Sequence, residues 1–258
     1  MLITGIIGYP LETTLSPKMH SSAFRKLGID GIYLRLPVKE KNLKEATLGL
    51  RSLGFKGVNV TIPYKNKIFK YLDDASDEAK KIEAVNTILI KNGKIIGYNT
   101  DIFGLKKSLK EYNINILNKK IMLIGAGGVG NACAYTINSL KPKRFFVVNR
   151  TYEKAVNLRE KYNTDIVVID GIERIIPEID IIINATSVDL QPIILPYIKQ
   201  GSIYYDINYK FKFIKRKGVK MINGLLMLVY QGVKSFELWT DKDAPVETMK
   251  KAVGLKDD

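Results

Sequence analysis

The sequence predicts an α/β fold in two domains, and three of its features carry that expectation. Short Val/Ile/Leu runs recur from end to end without polar alternation, the pattern of strands buried on both faces. Amphipathic segments of helical period separate them, so the strands are expected to lie mainly parallel. A glycine-rich turn past residue 120 then restarts the series. At 258 residues the chain is near the length at which one core splits into two.

Strands are expected at 2–7, 32–36, 57–62, 120–125, 145–149, 166–169, 179–184, 202–206 and 219–222. Helices are expected at 17–27, 43–53, 102–112, 129–140 and 153–162. Runs 87–91 and 94–97, joined by Asn92-Gly93, read as one tight hairpin. The domain boundary falls near Asp101, giving a first domain of 1–101 and a second of 102–224. The tail 225–258 is expected to be helical and to bury its apolar face on the first domain. A cleft between the two domains is the natural place for ligands.

Composition narrows the function classes. One cysteine, Cys133, excludes a disulfide framework and leaves no zinc cluster. The lone histidine, His20, is expected to pack on its helix and argues against a metal site or a Ser-His-Asp triad. No run of 18 apolar residues is present and the start lacks the pattern of a signal peptide, so a cytoplasmic protein is expected, with no membrane contact. The formal charge is +15, yet only eight of the 41 basic residues are arginine and the lysines are dispersed. Base readers and phosphate clamps favour the arginine fork, so no nucleic-acid partner is expected. The positive field would still attract anionic substrates. The sequence leaves monomer and homodimer both open.

Gly125-Ala126-Gly127-Gly128-Val129-Gly130 fits GxGxxG between an apolar strand and a helix. In that context the first glycine makes the turn and the second admits a pyrophosphate. The third lets helix and strand pack closely, and the helix N-terminus receives the anion. The next strand ends in Asn149-Arg150-Thr151, where NAD enzymes carry an acid for the ribose 2′-OH. Arg150, with Lys154 one turn on, favours a 2′-phosphate instead, so the expected cofactor is NADP.

The first domain carries the other polar residues. Ser16 reads equally as a helix N-cap before Pro17 and as a hydroxyl that, with Thr14, receives a carboxylate. Lys65 follows the strand that ends near Thr61, at the end of an α/β sheet where ligands sit. Asn86 and Asp101 stand at the edges of later elements. Carbonyl reduction needs a hydride source and a proton donor near the oxygen, and Lys65 beside Asp101 suits the second role.

Together these segments resemble the shikimate dehydrogenase family over essentially the whole chain. The matching motifs are TLSPKMH (14–20), NVTIPYK (59–65), AVNT (84–87), YNTD (98–101), GAGGVG (125–130), NRT (149–151), NATS (184–187) and NGLLMLVYQ (223–231). The resemblance implies an N-terminal substrate domain with a mainly parallel sheet, a Rossmann-type NADP domain, and NADP-linked interconversion of 3-dehydroshikimate and shikimate. It implies Thr14 and Ser16 on the substrate carboxylate; Thr61, Asn86, Asp101 and Gln231 on the ring hydroxyls, with Tyr209 nearby; and Lys65 as acid/base oriented by Asp101. It also implies Gly125 to Gly130 and Asn149, Arg150, Thr151 and Lys154 on NADP, with Asp77, Ile207 and Gly224 as lesser contacts.

Several positions depart from the family pattern. Thr14 replaces the first serine of a Ser-x-Ser pair, and Glu83 stands before AVNT where glycine is usual. Val188-Asp189-Leu190 follows NATS, and Lys210 to Phe213 follow Tyr209 where Pro and Thr are usual. None of these removes a residue assigned to chemistry. The rival readings are a broader quinate/shikimate dehydrogenase using NAD, an NADP-sensing or nucleic-acid-associated protein without catalysis, and a tetrahydrofolate-type dehydrogenase. Against these stand, in turn, Arg150 at the second strand end, retention of Lys65 and Asp101 with dispersed lysines, and the lack of a pterin signature.

Overall fold

In the computed structural model, residues 1–166 and 171–255 are described. The chain divides into two compact units: Met1–Leu105 with the chain from Leu228 onward, and Lys106–Met227. Each unit is built on one six-stranded sheet.

In the first unit β1 (Leu2–Gly8), β2 (Gly31–Pro37) and β3 (Phe55–Val60) are parallel. A two-residue β4 (Asp74–Ala75) pairs in parallel with β6 (Lys94–Tyr98), which forms an antiparallel hairpin with β5 (Thr87–Lys91). The sheet order is β2-β1-β3-β5-β6-β4, and β5 is also antiparallel to β3. Helices α1 (Ser16–Lys26) and α2 (Leu43–Ser52) are crossovers of this series, α3 (Asp77–Ile82) precedes the hairpin, and α4 (Asp101–Glu111) follows it. The core gathers Ile7, Val58, Val60, Tyr64, Ile68 and Ile88, all at most 2 % exposed. Truncating any aliphatic member of such a cluster to alanine costs about 2–5 kcal/mol.

Among the described residues, every strand pair of the second unit is parallel. Its strands are β7 (Lys120–Ile124), β8 (Arg144–Val148), β9 (Asp165–Ile166), β10 (Ile181–Asn184), β11 (Ile203–Asp206) and β12 (Lys220–Asn223). Their order, β12-β11-β10-β7-β8-β9, is that of the doubly wound Rossmann sheet, with its switch point at β7 and β10. Helices α5 (Gly128–Ser139), α6 (Tyr152–Tyr162), α7 (Ile172–Ile175) and α8 (Gln191–Ile194) fall between strands. The Ile-rich runs read as double-faced strands are buried here: Ile181, Ile182 and Ile183 are at most 2 % exposed.

The tail forms α9 (Leu225–Thr240) and α10 (Val246–Ala252). Within the first unit α10 packs on α1, and the Trp239 indole on α9 donates to the Ile88 carbonyl at 2.9 Å. No helix among the described residues is long and apolar enough to cross a membrane.

The expected elements recur with local differences. β3 stops at Val60 rather than 62, because the Tyr64 N–H closes a turn on the Thr61 carbonyl. The strand expected at 166–169 lies, beyond Ile166, outside the described residues. The divisions between units fall inside α4 and α9, a few residues past the expected 101 and 224. The first turn of α4 carries buried Ile102 and Leu105. Ser16 is not the N-cap: α1 starts at Ser16 itself, Leu15 flanks it, and the Thr14 hydroxyl accepts the Ser16 N–H at 3.3 Å. That leaves the Ser16 hydroxyl free of the capping role.

Candidate active site

In the first unit four of the expected residues converge. Lys65 follows β3, and its carbonyl accepts the Val85 N–H at 2.8 Å, which fixes the backbone beneath the side chain. Its ammonium lies 2.6 Å from Asp101 Oδ2. Asp101 opens α4, where the helix dipole favours a carboxylate, and its N–H donates to Asn99 Oδ1 at 3.1 Å. Asn86 Nδ2 donates to Asp101 Oδ1 at 2.9 Å and reaches Gln231 Oε1 at 3.4 Å. Both oxygens of Asp101 therefore accept bonds, one of them from a cation, the arrangement that stabilises a buried carboxylate.

Thr14 and Ser16 form a second pair, their hydroxyls 3.3 Å apart at the start of α1. Ser16 is 3 % exposed and Gln231 8 %. Thr61 sits one residue past the end of β3, its N–H on the Ile7 carbonyl. These groups, a carboxylate, an ammonium, amides and hydroxyls, suit a polar polyol acid rather than an apolar ligand.

The second unit holds a pocket of about 410 Å³ at the carboxyl ends of β7, β8 and β10. Gly125, Ala126 and Gly127, Asn149, Arg150, Thr151 and Lys154 line it. Gly125 turns at φ 108°, and a Cβ on Gly130 would stand 2.1 Å from the Gly125 carbonyl oxygen. Gly130 thus serves packing and does not line the pocket; Gly128 and Val129 begin α5. Asn149 has a bracing role that its position in the sequence did not disclose. Its Oδ1 accepts the Ala126 N–H at 2.9 Å, and its Nδ2 donates to the Thr151 carbonyl at 2.8 Å. Arg150, Thr151 and Lys154 are exposed.

Ile207 and Gly224 meet closely: a Cβ on Gly224 would stand 1.8 Å from the Ile207 carbonyl oxygen. The turn that carries Ile207 and Tyr209 is held by Asp206, whose Oδ1 accepts the Asn208 N–H at 2.9 Å. Burial pushes the Asp206 carboxyl up to about 6. Asp77 lies exposed in the first turn of α3, in the first unit.

Two further sets of residues were given no individual role from the sequence, although NATS (184–187) was among its motifs. Thr186, Ser187 and Val188 also line the pocket, held by Asn184, whose Oδ1 accepts the Thr186 N–H at 3.0 Å and whose Nδ2 donates to the Val188 carbonyl at 3.0 Å. A polar residue ending an all-isoleucine strand was the available signal. Behind Asn86 lies a set of buried polar side chains, Tyr33, Asn59, Thr87, Thr100 and Ser235. Asn59 inside an apolar strand was the signal there. His20 is fully buried, stacked on Tyr33 with centroids 4.5 Å apart, and burial holds its imidazole down to about 3.

Comparison with known proteins bears on these same segments. The model of the shikimate dehydrogenase substrate binding domain matches residues 6–88. The shikimate / quinate 5-dehydrogenase model matches 106–197, and that of the shikimate 5'-dehydrogenase C-terminal domain matches 224–253. The NADP(+) shikimate dehydrogenase of Methanococcus maripaludis is 42% identical, over 98% of this chain and 97% of its own. The chain belongs to the shikimate dehydrogenase family. Among solved structures, the shikimate dehydrogenase of Aquifex aeolicus superposes with a TM-score of 0.91 at 36% identity, over 98% of each chain. The shikimate 5-dehydrogenase of Thermus thermophilus, solved with NADP(H) and shikimate, superposes with a TM-score of 0.89 at 31% identity, also over 98% of each chain. In shikimate dehydrogenase terms the strands of the first unit fall in or near the substrate binding match at 6–88, α9 and α10 in the C-terminal domain match, and the NATS loop and glycine turn in the shikimate / quinate match.

Proposed function

We propose that this protein is an NADP-dependent shikimate dehydrogenase, which reversibly reduces 3-dehydroshikimate to shikimate in the route to chorismate and the aromatic amino acids. The observation that carries the reading is the buried Lys65–Asp101 pair, at 2.6 Å, with Asn86 on the second carboxylate oxygen.

The second unit fits the nucleotide. The 410 Å³ pocket, the glycine turn that only a missing Cβ permits, and the start of a 12-residue helix suit a pyrophosphate. Arg150 and Lys154, with Thr151, would hold the 2′-phosphate, and Asp77, Ile207 and Gly224 are lesser contacts implied by the family. When bound, NADPH supplies the hydride for the carbonyl carbon.

The remaining work falls to side chains of this chain. Thr14 and Ser16 hold the substrate carboxylate, while Thr61, Asn86, Asp101 and Gln231 hold the ring hydroxyls, with Tyr209 nearby by the family's pattern. The Lys65 ammonium gives its proton to the carbonyl oxygen as that oxygen gains charge, and in the reverse direction the amine takes it back. Asp101 holds the ammonium in place and offsets its desolvation. General acid–base help of this kind contributes about 10²–10⁴-fold in rate. The lone buried cysteine, Cys133, fits a cytoplasmic enzyme, and the reading is compatible with either a monomer or a homodimer.

The test is shikimate oxidation followed by reduced-cofactor absorbance, with NADP and NAD side by side and quinate as second substrate. Turnover with shikimate and NADP alone supports the assignment. Turnover with quinate or NAD moves it to the broader quinate/shikimate enzyme, and binding of NADP without turnover moves it to a sensing role.

A further inference from the structure

The polar side chains behind the ion pair form a chain with a direction. The Tyr33 hydroxyl donates to Asn59 Oδ1 at 2.7 Å, which commits the other end of that amide to donate. Asn59 Nδ2 accordingly reaches Ser235 Oγ at 2.9 Å and Thr87 Oγ1 at 3.0 Å. The Ser235 hydroxyl donates back to the Gln231 carbonyl at 3.0 Å, one helical turn earlier. The Thr87 hydroxyl then has Asn86 Oδ1 as acceptor, at 3.1 Å. That same oxygen accepts the Thr100 backbone N–H at 2.7 Å, so the orientation of the Asn86 amide is fixed. Its nitrogen therefore faces Asp101. Along the line Tyr33, Asn59, Thr87 and Asn86 each bond is donated toward the carboxylate that also holds Lys65, while the Ser235 hydroxyl branches off to Gln231.

Every link is buried. Thr87 and Ser235 are 0 % exposed, Thr100 and Asn86 2 %, and Asn59 4 %. Thr87 is the hub, in contact with Asn59, Asn86, Thr100 and Ser235 at 2.8–3.2 Å. Buried networks of this sort are strong when complete, and each donor sets the direction of the next.

We propose that Thr87, backed by Asn59 and Ser235, is a positioning residue for the reaction: its hydroxyl completes a one-way donor chain that keeps Asn86 and Asp101 aimed at Lys65. Thr87 touches neither Lys65 nor Asp101 and acts through Asn86. The inference deepens the shikimate dehydrogenase reading and rests on it.

The test compares Thr87→Val, which keeps the shape and deletes the hydroxyl, with Thr87→Ser, which keeps the hydroxyl. The expected result is a fall in kcat for shikimate oxidation of about tenfold in Thr87→Val with KM for NADP within about twofold, and recovery to within about threefold of wild type in Thr87→Ser. Ser235→Ala is expected to lower kcat as well, and the double variant to lose no more than Thr87→Val alone, as members of one network do. Wild-type kcat in Thr87→Val, or a loss that Thr87→Ser does not restore, overturns the proposal. Should Thr87→Val not fold, Ser235→Ala is read in its place, and unchanged kcat there overturns it. Failure of the reaction assignment is separable, because it silences the wild type too. In that event acetylation of Lys65 by acetic anhydride, read on its peptide by mass spectrometry, still decides. Faster labelling in Thr87→Val than in wild type and Thr87→Ser supports the proposal, and equal labelling overturns it.

Discussion

Lys65 Nζ and Asp101 Oδ2 are 2.6 Å apart, with their side chains only 10 % and 6 % exposed. A buried pair of this kind is weak evidence of stability, since the desolvation of both charges offsets much of their attraction. Under the proposed function it is an arrangement for chemistry: an ammonium held against a carboxylate, where a proton has to be delivered to one oxygen.

Asp101→Asn tests the orienting half of that pair. The amide keeps the shape, but the counter-charge is gone and one donor now faces another at Lys65 or Asn86. Steady-state assays are expected to show kcat lowered about a hundredfold or more, with the Kd for NADP within about twofold of wild type. A variant with wild-type kcat removes Asp101 from the mechanism.

Two glycines of the turn separate binding from folding. Gly127 has open space where a Cβ would go, at an ordinary backbone angle, whereas a Cβ on Gly130 would meet the Gly125 carbonyl oxygen at 2.1 Å. Gly127→Ala is therefore expected to keep the wild-type Tm while weakening NADP about tenfold or more, because the methyl occupies room needed by the pyrophosphate. Gly130→Ala is expected to lower Tm directly, by the 1–3 kcal/mol typical of an overpacked contact, roughly. Thermal melts with and without NADP distinguish the two.

The Rossmann half was legible because its physics is local. A buried strand, a turn that demands glycine and a helix start follow one another within 120–140, and Arg150 stands at the next strand end. The pairing of Lys65 with Asp101 was expected from the chemistry of carbonyl reduction and from the family resemblance, whereas the contact itself depends on β3 and α4 being brought together, which no local signal states. The donor chain was illegible for the same reason, since Asn59 and Ser235 are 176 positions apart. Of the two equal readings of Ser16, helix cap or carboxylate-binding hydroxyl, the cap drawn from Pro17 does not hold, since the helix begins one residue early and Thr14 takes the backbone N–H. The short β4 and α3 escaped notice because elements this brief carry no periodicity.

Arg150 sets the cofactor preference if its fork meets the 2′-phosphate. Arg150→Ala is expected to raise the Kd for NADP about tenfold to a hundredfold, the range of one charged hydrogen bond, and to leave NAD nearly unaffected. Titration of both nucleotides by fluorescence measures this, and equal losses for NADP and NAD would assign Arg150 to the shared part of the molecule.

Two buried groups give opposite pH dependences. His20 is held down to about 3 by burial, against a usual 6.5, so below pH 6.5 the unfolded chain binds a proton that the folded one refuses. Stability therefore falls as pH drops from 6.5 toward 3, by at most about 1.4 kcal/mol per pH unit, and His20→Phe is expected to flatten that limb of a Tm–pH curve. Asp206 is pushed up to about 6, against a usual 3.8, so between those values the folded chain holds the extra proton. Its contribution is lost as pH rises through that window, and Asp206→Asn is expected to steepen the rise of Tm with pH there. Unaltered curves in both variants would contradict the burial argument.

The most direct measurement compares wild type with Lys65→Ala in shikimate oxidation with NADP, alongside NADP binding to each. The expected result is turnover in the wild type, a loss of about a thousandfold or more in the variant, and a Kd for NADP that stays within about twofold. Unchanged turnover in Lys65→Ala would contradict the assignment of the proton transfer to this lysine, and with it the central claim.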